Sequence, residues 1–190
     1  MSPVSSKAWT IRPAGPGDER ILAKLGPETF QEAFGDAFPR SFIQERMALA
    51  YAPDRLALDL ADLRQAWFLA ESGAEAVGFL SLAEGTPPGC VVEPGPLELS
   101  RLYVRGAWQG RGPAFALMEA GLGEARRRRA GSLWLQAWER NPRALAFYRA
   151  HGFREAGRVI VRFGGEELPH LVLVRRLPGG AGVDAAEGPA

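Results

Sequence analysis

The sequence has little cysteine and histidine, and these shortages exclude whole classes of site. It contains one cysteine and two histidines in 190 residues, so no internal disulfide can form and no cluster has the spacing of metal ligands. No apolar run is long enough to cross a bilayer, and the polar start of the chain is unlike a secretory leader. The formal net charge of +1 gives no global basic field for nucleic acid. We therefore expect no metal, membrane or nucleic-acid partner, and the lone Cys90 fits a reducing cytoplasm.

What the sequence does contain is a succession of strand and helix signals. Hydrophobic residues make up 46% of the chain and charged residues 24%, which is typical of a globular protein. The patterns predict a strand at 9–12, helices at 18–30, 42–51 and 54–63, strands at 67–71, 76–82 and 97–104, a helix at 113–129, a strand at 132–138, a helix at 141–152, and a hairpin of 159–163 with 168–177. This order indicates an α/β fold with a mixed sheet. We expect residues 1–8 to be an N-terminal extension, 9–177 the domain and 178–190 a disordered tail.

Four element boundaries are predicted from individual residues. Pro13 should end the first strand, because proline lacks a backbone donor. Asp54 should cap the third helix. Asn141 before Pro142 should cap the last helix, which should stop at Gly152.

The most informative stretch directly follows a strand and directly opens a helix. It consists of Gln109, Gly110, Arg111, Gly112, Pro113 and Ala114. Small residues let the backbone approach a ligand closely, and the first helical amides lack partners inside the helix. Together with the helix dipole they suit a diphosphate, to which Arg111 would add a charged donor. An ordinary tight turn explains the same residues equally well. The two common nucleotide motifs, Gly-x-Gly-x-x-Gly and a loop ending Gly-Lys-Ser/Thr, are absent.

Two motifs in fixed order make the chain resemble the GNAT superfamily of N-acetyltransferases. Gln/Arg-x-x-Gly-x-Gly/Ala is matched by Gln109, Gly112 and Ala114. Asn-x-x-Ala-x-x-Phe-Tyr, followed by Gly-Phe, is matched by Asn141, Ala144, Phe147, Tyr148, Gly152 and Phe153. The stretches Trp-Glu-Arg-Asn at 138–141, Thr-Phe at 29–30 and Gly-Gly-Glu-Glu at 164–167 further resemble PaiA-type bacterial polyamine N-acetyltransferases. The resemblance covers residues 9–177.

The resemblance implies the GNAT fold and acetyl-CoA as cosubstrate. That fold is a mixed, mostly antiparallel sheet of about seven strands with flanking helices, and a splayed central pair forms the acetyl-CoA cleft. Backbone groups of Leu102, Tyr103 and Val104 would bind the pantetheine arm, and the diphosphate would lie on Gln109, Gly110, Arg111, Gly112, Pro113 and Ala114. Pro113 departs from the usual aliphatic residue and removes one donor. Asn141 would contact the coenzyme, cap its helix, or do both.

The resemblance also implies a catalytic acid and a base. Tyr148 would protonate the departing thiolate, since a phenol with a pKa near ~10 is protonated at neutral pH. The alternative is a core tyrosine packed beside Phe147. Glu98 would accept the proton of an ammonium acceptor. The alternatives are a surface strand glutamate and an amine that arrives neutral and needs no base.

We therefore expect direct acetyl transfer from acetyl-CoA to a primary amine, most naturally a polyamine or another small cationic amine. Glu28, Glu32, Asp36 and Glu45 would make the acceptor region acidic, or would be solvated helix faces. Acetylation of a protein or peptide amine and a non-catalytic acyl-CoA sensor are the alternatives. The arginines at 126–129 indicate a solvated helix end. A homodimer is left open.

Overall fold

The computed structural model describes residues 9–163 and 165–179. Within these ranges the elements are β1 (Thr10–Ala14), α1 (Glu19–Phe34), α2 (Arg40–Ala50), α3 (Pro53–Ala61), β2 (Gln65–Ser72), β3 (Glu75–Ala83), β4 (Pro96–Val104), α4 (Pro113–Arg127), β5 (Ser132–Trp138), α5 (Pro142–Ala150), β6 (Arg154–Phe163) and β7 (Glu166–Arg176), with a 3-10 turn at Gly106–Trp108. The expected N-terminal extension, residues 180–190 of the expected tail and Gly164 of the predicted hairpin lie outside the described residues.

The strands form one sheet in the order β1-β2-β3-β4-β5-β7-β6. The pairs β1 with β2, β5 with β7 and β6 with β7 are antiparallel, whereas β4 and β5 are parallel. Parallel neighbours need a crossover, and α4 lies in the connection from β4 to β5. The parallel register runs from the pair Pro96–Ser132 to the pair Glu98–Trp134. The expected mixed, mostly antiparallel sheet of an α/β fold is confirmed.

The chain divides into two compact units. Of the described residues, the first unit contains those up to Leu82 together with Arg101–Gly121, and the second contains Ala83–Ser100 together with those from Leu122 onward. In the first unit α1 packs against α2 and α3. An aromatic cluster lies around Phe79, whose ring centroid is 6.2 Å from that of Trp67 and 5.6 Å from that of Tyr103.

The second unit has its core on β5 and β7. The residues from Ser132 to Leu135 and from Leu171 to Val174 are all buried. Such continuous apolar burial is expected of interior strands that are covered on both faces. The predicted inward side of α4 is confirmed, since Leu117 and Met118 are fully buried in the first unit and Leu122 and Ala125 in the second.

Two of the boundaries predicted from individual residues are wrong. Pro13 does not end β1 but pairs with Phe68 inside it. Since β1 is the first strand of the sheet, the donor missing from proline is tolerated at this edge. Asp54 does not cap α3, because the helix begins at Pro53 and Ala52 holds the capping position. Asp54 lies instead in the first turn, where the dipole also favours a carboxylate.

Candidate active site

The connection between β4 and α4, residues 105–112, is a turn held by its own backbone, and we call it the glycine turn. Its first part is the 3-10 turn. Amide-to-carbonyl hydrogen bonds run from Trp108 to Arg105 (2.8 Å), from Gln109 to Gly106 (3.2 Å) and from Arg111 to Trp108 (3.3 Å). The amides of Gln109 and Arg111 are therefore used inside the turn.

The last part of the glycine turn requires glycine. Gly110 has φ +77° and Gly112 has φ +105°, values that residues with a Cβ rarely adopt. A Cβ built on Gly112 would lie 3.0 Å from Cζ2 of Trp9, whereas one on Gly110 would meet nothing within 4 Å. Open space beside Gly110 lets a ligand approach the main chain there.

Helix α4 starts at the end of the glycine turn. Pro113 is its first residue, a position where the missing amide removes no internal hydrogen bond. The amide of Ala116 donates to the Gly112 carbonyl at 3.1 Å, so Gly112 closes the first helical turn. The chemistry of this segment fits a diphosphate, because a helix N-terminus offers outward amides and positive potential.

The side chain of Gln109 serves the turn itself. Its Nε2 donates to the Val104 carbonyl at 2.9 Å, which ties the glycine turn to the last residue of β4. The carbonyl of Tyr103 lies against β3, where a Cβ built on Gly78 would be only 2.8 Å from it. The absence of a side chain at Gly78 thus allows β3 and β4 to approach closely at the residues that sequence reasoning assigned to the pantetheine arm.

Arg105, which sequence reasoning missed, anchors the start of the glycine turn. Its Nε donates to the Ala76 carbonyl at 3.1 Å, and its amide donates to the Val77 carbonyl at 2.9 Å. Its Nη2 lies 2.7 Å from Oε2 of Glu28 and its Nη1 lies 3.4 Å from Oε1 of Glu75. The guanidinium therefore connects the turn to β3 and to α1.

A second contact from α1 reaches the same turn. Oε2 of Glu32 accepts the amide of Gly106 at 2.6 Å. Glu28 and Glu32 are four residues apart, so they lie on one helix face. The spacing of these two glutamates could be read from the sequence, but it did not show that the glycine turn is what they contact.

In the second unit Asn141 caps α5, as predicted. Its Oδ1 accepts the amide of Ala144 at 3.0 Å, and Pro142 is the first helical residue. Gly152 follows the helix with φ +77°, which is the expected glycine stop.

Tyr148 lies on the inner side of α5. It is 9% exposed, and its ring makes edge contacts with Phe147 and Phe153 at centroid distances of 5.6 and 5.8 Å. Burial raises the pKa of the phenol above its ordinary value of 10.0, because a low-dielectric surrounding disfavours the phenolate. The hydroxyl is therefore protonated at neutral pH, as a general acid must be before it acts.

Glu98 lies on β4 between the buried side chains of Leu97 and Leu99. Side chains alternate along a strand, so Glu98 faces the opposite side of the sheet from these two residues. Its register partner is Trp134. A Cβ built on Gly85 would be 3.4 Å from Oε2 of Glu98, which places the carboxylate beside the loop that follows β3.

The structure brings some of the predicted site residues together within one unit. Residues 102–104 and 109–114 belong to the first unit, where the bond from Gln109 to Val104 joins the two segments. Glu98, Asn141 and Tyr148 belong to the second unit.

The remaining charged and polar candidates have local explanations. Glu124 binds Arg127 at 2.6 Å and Arg128 at 2.7 Å, and the hydrogen bond from Arg127 lowers the pKa of its carboxyl. Arg126 and Arg129 are exposed, which agrees with a solvated helix end. Among residues 9–163 and 165–179, no group of three or more His, Cys, Asp or Glu is arranged to hold a metal. Over the same residues no helix is both long and apolar enough to span a bilayer.

Comparison with known protein families shows to which family the chain belongs. The sequence profile described as the acetyltransferase (GNAT) family matches residues 28–153. This chain belongs to the GNAT family. An uncharacterized N-acetyltransferase of Mycobacterium tuberculosis is 31% identical over 160 residues, which cover 84% of this chain and 98% of that protein. It follows that this GNAT protein is an acetyl-CoA-dependent N-acetyltransferase.

Two solved structures are also similar. PaiA N-acetyltransferase from Thermoplasma acidophilum, solved with coenzyme A, aligns with TM-score 0.72 and 15% identity, covering 89% of this chain and 99% of that one. An acetyltransferase from Thermus thermophilus aligns with TM-score 0.60 and 25% identity, covering 89% of this chain and 97% of that one. The first likeness concerns the fold and carries no acceptor identity.

Proposed function

We propose that this GNAT enzyme acetylates a primary amine by direct attack on acetyl-CoA, with a polyamine or another small cationic amine as acceptor. The observation that carries the proposal is the glycine turn at the start of α4, with left-handed glycines at 110 and 112. The second motif, at 141–153, supports it independently. We take residues 9–177 as the catalytic domain and the cytoplasm as the compartment in which the enzyme acts.

The coenzyme-binding part of the proposal concerns the first unit. Backbone groups of Leu102, Tyr103 and Val104 would bind the pantetheine arm. The diphosphate would lie at residues 109–114, with main-chain donors at Gly110, Gly112 and Ala114 and with the exposed Arg111 as a charged donor. The bonds described above use the amides of Gln109 and Arg111 to shape the turn, and Pro113 has none. Asn141 of the second unit is also proposed to contact the coenzyme.

Tyr148 is proposed as the general acid. Acetyl-CoA supplies the acetyl thioester, and transfer to nitrogen releases the thiol. The Tyr148 hydroxyl would hold the proton that the leaving sulfur takes up. Its burial supports this role, because the raised pKa keeps the proton on the oxygen over the whole neutral range.

Glu98 is proposed as the general base. An aliphatic amine is an ammonium ion at neutral pH and has no lone pair for attack. The Glu98 carboxylate would take that proton directly or through a water. Its position beside Gly85, on the face away from Leu97 and Leu99, leaves it partly exposed.

The cationic acceptor is supported by two exposed acidic side chains, Asp36 between α1 and α2 and Glu45 on α2. The charge of Glu28 is offset by Arg105, and Glu32 accepts the amide of Gly106. The resemblance of residues 29–30, 138–141 and 164–167 to PaiA-type polyamine N-acetyltransferases supports the same acceptor class. A protein or peptide amine remains the second candidate acceptor, and an acyl-CoA sensor is the non-catalytic alternative.

An amine panel tests the proposal. Thiol release from acetyl-CoA is measured with spermidine, spermine, a monoamine, an amino acid and a peptide, using the wild type, Tyr148→Phe and Glu98→Gln. We expect turnover to be fastest with polyamines. It should fall about 10²- to 10⁴-fold in Tyr148→Phe, the range of general acid catalysis, with coenzyme binding intact.

Other results would reject parts of the proposal. Peptide acetylation without polyamine turnover would replace the acceptor class. Coenzyme binding without turnover on any amine would favour the sensor. A Tyr148→Phe enzyme as fast as the wild type would remove Tyr148 from the mechanism.

A further inference from the structure

Two carboxylates of α1 contact the glycine turn, and the proposed chemistry uses neither contact. Glu28 pairs with Arg105, and Glu32 accepts the amide of Gly106 at 2.6 Å. The Glu32 contact is the more specific of the two, because its partner is a main-chain group at the first residue of the 3-10 turn.

The first amides of such a turn have no carbonyl partner inside it. Glu32 therefore fixes Gly106, the point at which the chain leaves the strand and enters the turn.

Further hydrogen bonds connect Gly106 to the proposed diphosphate segment. Its carbonyl accepts the amide of Gln109 at 3.2 Å, and the side chain of Gln109 returns to the Val104 carbonyl at 2.9 Å. Gln109 directly precedes the left-handed Gly110. A displaced Gly106 would thus displace the donors of the diphosphate segment.

The negative charge of Glu32 indicates which of its properties could favour coenzyme binding. A carboxylate near a bound diphosphate is electrostatically unfavourable. The benefit of Glu32 must therefore come from its hydrogen bond to Gly106 and not from its charge. A neutral acceptor in the same place should serve as well.

We propose that Glu32 is a positioning residue for the coenzyme, which acts through Gly106 and does not contact the ligand. This inference rests on the proposed function, since it takes residues 109–114 as the diphosphate site. Helix α1 thereby has a part in coenzyme affinity in addition to its proposed part in the acceptor region.

Three variants test the inference. Glu32→Ala removes the acceptor, Glu32→Gln keeps an acceptor oxygen without the charge, and Glu119→Ala removes an exposed carboxylate from α4 as a matched control. The readouts are the calorimetric Kd for coenzyme A, the KM for acetyl-CoA against kcat, and hydrogen exchange of the amides at 106–112 without coenzyme.

We expect Glu32→Ala to weaken coenzyme A binding and raise the acetyl-CoA KM by up to roughly tenfold, the upper end of the effect of losing one intramolecular hydrogen bond. Its kcat at saturation should not change, and the Gly106 amide should exchange faster. Glu32→Gln should restore all three values to within about twofold of the wild type, a difference of only a few tenths of a kcal/mol. Glu119→Ala should behave as the wild type.

Glu32→Ala behaving like Glu119→Ala in every readout would overturn the inference. So would a raised amine KM with unchanged coenzyme affinity, since Glu32 would then belong to the acceptor region. If the wild type itself gives no response to coenzyme A, the proposed diphosphate site fails, and the wild-type titration alone identifies that case.

Discussion

Replacing Asn141 with alanine should destabilise the protein by removing the cap of α5. Its Oδ1 accepts the amide of Ala144 at 3.0 Å, and α5 has only nine residues. Loss of an asparagine cap costs about 0.5–2 kcal/mol. We expect about 1 kcal/mol, which lowers the Tm of a chain of this size by about 2–4 °C.

Urea denaturation followed by circular dichroism measures this loss, and Asn141→Asp is the matched control. Aspartate retains an acceptor oxygen at the cap, so its stability should stay within a few tenths of a kcal/mol of the wild type. It also introduces a negative charge. If Asn141 contacts the coenzyme, Asn141→Asp should weaken coenzyme A binding while stability is kept.

The two results separate the structural role from the ligand role. An alanine variant as stable as the wild type would refute the capping argument. Unchanged coenzyme affinity in Asn141→Asp would refute the proposed coenzyme contact and leave the cap intact.

Three further predictions concern packing and titration. Phe79→Ala should lose about 3–5 kcal/mol in urea denaturation, because the side chain is fully buried; a loss below about 1 kcal/mol would contradict that packing. Gly78→Ala should destabilise and weaken coenzyme binding, since its Cβ would meet the Tyr103 carbonyl, whereas Gly123→Ala, in open space on α4, should stabilise by up to about 1 kcal/mol. Burial raises the pKa of Tyr148 in the folded protein. The contribution of the protonated phenol to the free energy of unfolding is therefore complete below the unfolded pKa of about 10, and it is lost as the pH rises from there through the folded pKa. The rate should accordingly show no alkaline fall from Tyr148 below pH ~10, and a fall that persists in Tyr148→Phe would have another origin.

Periodic patterns allowed most of the fold to be predicted from the sequence. Apolar spacing identified the inner side of α4, and Asn141 before Pro142 marked the start of α5. The failures were of two kinds. The edge position of β1 allows Pro13 inside a strand, and edge position is a property of the whole sheet. Helix α1 continues to Phe34, beyond the predicted end at the apolar Phe30, because Gln31, Glu32 and Ala33 are good helix formers and the next residue of low helix propensity is Gly35.

Those parts of the candidate site whose role depends on the type and order of neighbouring residues could be predicted from the sequence. Glycines after a strand indicated the turn, and both have the left-handed backbone that requires glycine. The contacts of Glu32 with Gly106 and of Arg105 with Glu28 were not predictable. They join segments that are far apart in the chain, 74 residues in the case of Glu32 and Gly106, and the local pattern of Glu28 and Glu32 equally suits a solvated face.

Calorimetric titration of coenzyme A, with pantetheine as the comparison ligand that lacks the diphosphate and the adenosine 3′-phosphate attached to it, tests the central claim most directly. The account predicts saturable binding of one coenzyme A per chain and binding of pantetheine that is weaker by at least about tenfold. Equal affinity for the two ligands, or no heat with saturating coenzyme A, would contradict the claim that the main chain of the glycine turn binds a diphosphate.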